Sequence, residues 1–286
     1  MEAKAVDPVE FRGGQRQQWN EAATGWKRWS DRIDRATSGI SDRLVELAGV
    51  EPGSRVLDVA AGYGEPSLTA ARKAGADGAV VATDISAEML AFGRERAAAA
   101  GIESIEFVES DAASLDFAEA SFDAALSRWG IIFEPDGEAT AGRIRGFLKP
   151  GARMAISSWG PPERVPFIAV PMRTAMQRLA VPPPPPGTPG PLSRPTPEAI
   201  GGLLEGGGFS DVQVEEGEVT FEMESVDEYL TFLKETIPPL TALIAPHPPD
   251  VQDETWAAIA DTVREVSGDA EPLRLSNLVL LASGRA

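Results

Sequence analysis

At 286 residues the chain has room for one large domain, or one domain with a sizeable insertion, and its 43% hydrophobic and 24% charged content excludes the disordered class. The absence of cysteine excludes disulfides, zinc ribbons, iron–sulfur clusters and cysteine nucleophiles, and the single histidine, His247, leaves no material for a multi-histidine metal site. A formal net charge of −18 repels phosphate backbones and argues against nucleic acid as a substrate.

The first residues, MEAKAVDPVEFRGGQRQQWN, carry no apolar h-region and do not read as a signal peptide. No apolar run approaches the ~20 residues needed to span a bilayer, so the expectation is a cytoplasmic protein without a membrane span. Residues 12–35 predict an amphipathic helix: Trp19, Ala22, Trp26, Trp29 and Ile33 recur at spacings of three and four and share one face. Arg28, Asp31, Arg32 and Asp34 take much of the remainder.

From residue 54 the pattern becomes strand alternating with helix. Ser54–Ala60 reads as a buried strand followed by a glycine turn, with Pro66 near the start of a helix and Gly75 after its end. Ala79–Thr83 is a second strand ending at Asp84, and Ser86 caps a helix that Gly101 closes. Ile105–Glu109, Phe122–Ser127 and Ala152–Ser158 are strands three to five, with a helix over about 137–148 between the last two. Such alternation predicts parallel pairing through right-handed crossovers. Arg143, Arg145, Lys149 and Arg153 cluster near that helix's end, where cations complement the free carbonyls, and read as that rather than as a polyanion site.

The beat breaks at Pro161. VPPPPPGTPGPLSRP favours extended geometry, as a linker or as an ordered lid. Thr196-Pro197-Glu198 opens a short helix ending at Gly206-Gly207-Gly208, and Val212–Glu222 is a strand. Ser225 and Glu228 form a capping box, ahead of a stripe of Val226, Leu230, Leu233 and Ile237. A further helix carries Trp256, Ile259, Val263 and Val266, and Leu275–Ser283 is the last strand. The reading is a doubly wound, seven-stranded, mostly parallel α/β sheet with extra helical lid segments. It divides into a helical cap (1–40), a nucleotide-binding core (41–160), a proline-rich lid with a short helix (161–210), and strands with inserted helices that complete the sheet and a pocket (211–286).

The chemistry concentrates in Val56-Leu57-Asp58-Val59-Ala60-Ala61-Gly62-Tyr63-Gly64-Glu65. A buried strand ends in a turn where Gly62 and Gly64 let the backbone approach a ligand, and the next helix points its N-terminus at that space. A dinucleotide site expects a third glycine; here Ser67 follows Pro66, which has no N–H to offer a pyrophosphate. Asp84 follows Gly64 at the end of strand two, where a carboxylate can accept ribose hydroxyls.

The stretch resembles motif I of the class I S-adenosylmethionine-dependent methyltransferases, D/E-x-G-x-G-x-G: Asp58, Gly62 and Gly64 match, and Ala60 stands for the first glycine. Close approach at Ala60 is expected to survive if that residue keeps a negative φ. The resemblance covers about residues 45–160, includes Ser121–Ser127 as motif IV and Leu148-Lys149-Pro150-Gly151, and is nearest to the ubiquinone/menaquinone C-methyltransferase-like group. It implies S-adenosylmethionine as donor and S-adenosylhomocysteine as product. It also implies Asp111 against the adenine amino group, Ile85 and Ala112 beside the two acids, Ser127 at the methyl-transfer end, and Asp58 on the donor's α-ammonium.

Methyl transfer from a sulfonium needs alignment and exclusion of water more than acid–base help. The expected acceptor is a small apolar or aromatic metabolite, methylated on O, N or C, against a wall of Trp19, Trp26, Trp129 and Trp159. His247 and Arg128 are the weak catalytic candidates, with Glu65 and Tyr229 behind them, and no metal is expected. Two other readings stay open: a nicotinamide-dependent oxidoreductase, and a non-catalytic fold relative that binds the nucleoside alone. An oligomer is compatible with the sequence without being specified by it.

Overall fold

The computed structural model describes residues 7–185, 187–268 and 271–286. Residues 1–6, part of the stretch screened for a leader, and Pro186 of the proline-rich stretch lie outside the described residues.

Helix α1 (Pro8–Leu47) opens with a proline at its first position and with Asp7 Oδ1 accepting the N–H groups of Val9 and Glu10. It is longer at both ends than the tryptophan stripe predicts. Thr37, Ile40, Ser41, Leu44 and Val45 continue the buried face past Asp34, and the helix runs through residue 40, so cap and core share one element.

Seven strands follow: β1 (Arg55–Val59), β2 (Ala79–Asp84), β3 (Ile105–Glu109), β4 (Phe122–Arg128), β5 (Leu148–Trp159), β6 (Ser210–Met223) and β7 (Leu273–Arg285). They form one sheet in the order β3-β2-β1-β4-β5-β7-β6. The first five pair in parallel, and β7 inserts antiparallel between β5 and β6. The expected mostly parallel, doubly wound sheet is therefore present. Strand order reverses between β1 and β4, and sheets of this kind bind ligands beyond the carboxyl ends of the strands at that switch point.

The helices between strands are α2 (Ser67–Ala74), α3 (Ala87–Ala99), α4 (Gly137–Phe147), α5 (Pro166–Arg178), α6 (Pro197–Gly206), α7 (Val226–Thr236), α8 (Pro238–Ile244) and α9 (Pro249–Ser267). Each sheet face has its own core, because successive strand residues point to opposite sides. Val56, Ala124, Leu126, Val279 and Leu281 pack with α1 and α7; Leu57, Val59, Ala125, Leu280 and Ala282 pack with α4 and α6.

Two local expectations need correction. Ser225 Oγ does accept the Glu228 N–H, but Glu228 Oε2 takes the N–H of Glu224, one residue before the cap, and also meets Arg32 Nη1 at 2.9 Å. The acid thus joins α7 to α1 as well as closing a helix end. The buried face of α7 is Tyr229, Phe232, Leu233 and Thr236, while Val226, Leu230 and Ile237 are half-buried. Packing on both α1 and β6 rotates the helix away from its most aliphatic stripe. On α9, Val266 is exposed.

The proline-rich stretch is pinned at several points to the sheet's top. Ser193 Oγ donates to the Ile132 carbonyl at 2.9 Å, and Ser158 Oγ donates to the Arg194 carbonyl at 2.8 Å. Among the described residues no helix is long and apolar enough to cross a membrane, and no His/Asp/Glu cluster could hold a metal ion.

Candidate functional site

A cavity of about 210 Å³ lies at the carboxyl ends of β1, β2 and β4, roofed by α1 and closed at one side by the start of α8. Its floor at one end is the turn after β1. Ala60, Gly62 and Gly64 all have positive φ, at 58°, 54° and 101°. The negative φ on which close approach at Ala60 was made conditional is therefore not met. A non-glycine residue there costs roughly 1 kcal/mol. The strain is tolerable because a glycine faces it: a Cβ on Gly130 would stand 2.4 Å from the Ala60 Cβ. At Gly62 a built Cβ meets nothing within 4 Å, so open space stands before the turn. Gly64 does not line the cavity; its Cβ direction points at the Gly93 Cα, 3.3 Å away, and its role is to let α3 approach.

Asp84 fixes this end. Its Oδ2 accepts the Gly62 N–H and its Oδ1 accepts the Ser86 N–H, each at 2.8 Å. One carboxylate thereby ties the turn to the start of α3, and each oxygen keeps a further lone pair for a ligand. Burial pushes its carboxyl up to about 6, against the pull of the donated amides. Ile85 and Ala112 line the cavity beside it. Asp111 stands just outside the lining, between Ser110 and Ala112; its Oδ2 holds Ser114 Oγ while its Oδ1 is buried without a hydrogen-bond partner among the described residues. Asp58 is fully buried behind the turn, with Oδ2 accepting Ser67 Oγ at 2.5 Å and Oδ1 again unpartnered. Burial pushes Asp58 up to about 7, opposed by the Ser67 hydroxyl and the charge of Arg128.

The rest of the lining is largely aromatic. Trp19, Trp26, Trp129 and Trp159 all belong to it, joined by Phe167, Phe221 and Phe232. Trp129 stacks on Trp159 at 4.6 Å with planes 10° apart. Its φ of 55° is a left-handed conformation that no bulky side chain prefers, fixed by its N–H donating to Ser157 Oγ. Trp26 Nε1 donates to the Thr236 carbonyl, docking α1 on α7, whereas Trp129 Nε1 is buried with no acceptor among the described residues.

The catalytic candidates fare differently. His247 sits in the connection from α8 to α9 and does not reach the cavity. Tyr229 gives its hydroxyl to the Phe167 carbonyl and is fully buried. Glu65 does line the cavity, with Oε2 accepting Thr69 Oγ1. Ser127 turns to the opposite face, where its Oγ accepts the Ile131 N–H and holds the short turn after β4. Arg128 lines the cavity but is held by three hydroxyls, from Thr37, Ser41 and Tyr63. Missed by sequence reasoning were Arg12 and Glu134, paired at 3.1 Å beside Asp111, and the Thr37, Ser41 and Tyr63 hydroxyls that hold Arg128. The available signals were Thr37 and Ser41, polar residues on the apolar face of α1, and Arg128 at the end of a buried strand.

Residues 56–151 match the family model described as a methyltransferase domain. An uncharacterised protein of Mycobacterium tuberculosis is 42% identical over 116 residues, 41% of each chain. A ubiquinone/menaquinone biosynthesis C-methyltransferase of Pseudomonas putida is 37% identical over 119 residues, 41% of this chain and 46% of that one. The matched part thus spans less than half of each relative's length. The solved YcgJ protein of Bacillus subtilis superposes with a TM-score of 0.58 at 17% identity, covering 86% of this chain and 98% of that one, a likeness of fold.

Proposed function

We propose that this chain, whose core over residues 56–151 is a class I S-adenosylmethionine-dependent methyltransferase domain, methylates a small apolar or aromatic acceptor. The observation that carries the reading is one cavity lined together by the strained turn after β1, Asp84 and four tryptophans. The residues fit the donor. Open space faces Gly62, Asp84 keeps lone pairs for ribose hydroxyls, and the Oδ1 atoms of Asp111 and Asp58, which accept no hydrogen bond among the described residues, suit the adenine amino group and the α-ammonium, directly or through water.

S-Adenosylmethionine, when bound, supplies a methyl group on a sulfonium, already a good leaving group. The protein then has to align the acceptor with it and keep water out. Trp19 and Trp26 from α1, with the Trp129–Trp159 stack, provide a dry wall and flat surfaces on which an aromatic acceptor can be oriented. The polar groups here are mostly committed to internal hydrogen bonds, which favours catalysis by positioning.

Isothermal titration with S-adenosylhomocysteine tests the donor: micromolar binding is expected, and its absence removes the reading. Incubation with methyl-labelled S-adenosylmethionine and a native metabolite extract tests the transfer. A labelled small product is expected. Binding without any labelled product would identify a non-catalytic relative of the fold.

A further inference from the structure

We infer that Arg128 is a carboxylate anchor of the cavity, its guanidinium taking a carboxylate either from the amino-acid tail of the donor or from the acceptor; the first source rests on the donor reading above. Arg128 is the last residue of β4, is 8% exposed, and lines the cavity. A guanidinium this buried needs both hydrogen-bond partners and a compensating charge. It has partners: Thr37 Oγ1 and Ser41 Oγ, each 2.9 Å from Nη1, and the Tyr63 hydroxyl oxygen 3.1 Å from Nη2. All three are neutral. Among the described residues no carboxylate lies within ion-pair distance of it. The nearest acid in the network, Asp34, is reached through the Tyr63 hydroxyl and is already paired with Arg96.

The donors that remain define what fits. Of five guanidinium N–H groups, three are assigned, leaving Nε–H and one N–H on Nη2. The same two nitrogens carry carboxylates elsewhere in this chain: Arg12 presents Nε and Nη2 to Glu134 at 3.2 and 3.1 Å, and Arg43 presents them to Glu215 at 2.6 and 2.8 Å. The Tyr63 and Trp129 rings lie 5.7 and 5.5 Å from the guanidinium carbon, so they occupy its surroundings without neutralising it. A planar monoanion with two oxygens matches this edge and balances the single charge. A phosphate dianion would leave excess negative charge buried, because the cavity's other cation, Arg12, is already paired with Glu134.

Both sources sit within the geometry. A donor tail would set its ammonium toward Asp58 and its carboxylate toward Arg128, two buried and opposite charges that are not paired with each other. An acceptor acid would lay its ring on Trp129, the neighbour of Arg128, and present its carboxylate to the same edge.

The test measures binding to the native chain and to Arg128→Met and Arg128→Lys. The first pair of probes is S-adenosylhomocysteine and 5′-methylthioadenosine, which lacks the amino-acid tail. The second set, added to protein saturated with S-adenosylhomocysteine, pairs benzoate, cinnamate and indole-3-acetate with their amides. If the donor tail is the source, Arg128→Met weakens S-adenosylhomocysteine at least tenfold and leaves 5′-methylthioadenosine within twofold, with Arg128→Lys intermediate. If the acceptor is the source, the native chain prefers an acid to its amide at least tenfold, and Arg128→Met abolishes that preference without moving S-adenosylhomocysteine. Arg128→Met weakening every probe by one factor, or none, overturns the proposal. Should neither variant fold, the native chain decides: a tenfold preference for the tailed thioether or for an acid supports the anchor, and equal binding within both pairings overturns it. Failure of the native chain to bind either adenine thioether, with an acid preference intact, would instead remove the donor reading.

Discussion

Gly25 sits on the buried face of α1 where that helix crosses α7, and replacing it with alanine puts two opposed effects on one atom. In an unobstructed helix the change is stabilising by about 1 kcal/mol, because alanine is the better helix former. Here the added Cβ would stand 2.1 Å from the Glu235 carbonyl oxygen, 2.7 Å from its carbon and 2.8 Å from its Cβ. Two of these contacts are with backbone, which cannot swing aside, so the helices must separate by about an ångström. Overpacking of this severity costs roughly 3 kcal/mol, leaving a net loss of about 2 kcal/mol after the propensity gain. The separation also strains the bonds at this crossing, Trp26 Nε1 to the Thr236 carbonyl and Trp29 Nε1 to Glu235. Gly39→Ala is the control in the same helix, exposed and with nothing within 4 Å of its built Cβ. Urea unfolding is expected to show Gly25→Ala less stable by about 2 kcal/mol and Gly39→Ala more stable by about 1 kcal/mol. A Gly25→Ala variant as stable as Gly39→Ala would refute the close crossing and the placement of Trp26 that depends on it.

Asp84→Ala should weaken S-adenosylhomocysteine at least tenfold by titration calorimetry, since it removes the proposed ribose acceptor and releases Gly62 and Ser86 together; unchanged affinity would take Asp84 out of the site. Trp129→Ala should lower kcat/KM for the acceptor at least tenfold with S-adenosylhomocysteine affinity kept within twofold, and an equal loss in both would place Trp129 on the donor instead. Asp58 gives a pH signature. Its folded value of about 7 lies above its ordinary 3.8, so the folded state holds the proton more tightly. Its contribution to stability is fully present below about pH 4 and is lost as pH rises through about 7. Urea midpoints for the ligand-free chain between pH 4 and 8 should therefore fall less steeply in Asp58→Asn than in the native protein. Parallel curves would mean that Asp58 is not the titrating group.

The parts of the fold legible in the sequence were those whose burial is decided within a short window. Strands β1, β2 and β4 are buried on both faces over most of their length, and a glycine or aspartate stands at or within three residues of the end of each of β1 to β5, so their type and rough limits follow from local pattern. The turn after β1, which lines the cavity, was legible as a candidate site for the same reason. What escaped depends on partners distant in the chain. The second half of α1 looks polar because Asp34, Arg35, Ser38 and Gly39 interrupt the stripe, yet Ile40 and Leu44 are buried in the core that includes β6 and β7. The buried face of α7 likewise depends on Gly25, about two hundred residues earlier.

Ala60 shows why a site can be read and its strain missed. The motif comparison treats position 60 as a small residue tolerated in place of glycine, and backbone preference assigns it a negative φ. The observed positive φ becomes intelligible only through Gly130, which leaves room for the Ala60 Cβ on a neighbouring strand's turn. The same long-range logic governs Arg128. As the final residue of a buried strand it looks anomalous, and its partners Thr37 and Ser41 look like interruptions of an apolar helix face. Brought together, each explains the other: the hydroxyls solvate the charge, the charge justifies the hydroxyls, and Tyr63 ties both to the turn after β1. Helix α1 is therefore more than a cover, since it supplies two tryptophans to the cavity lining and holds the cation that lines it.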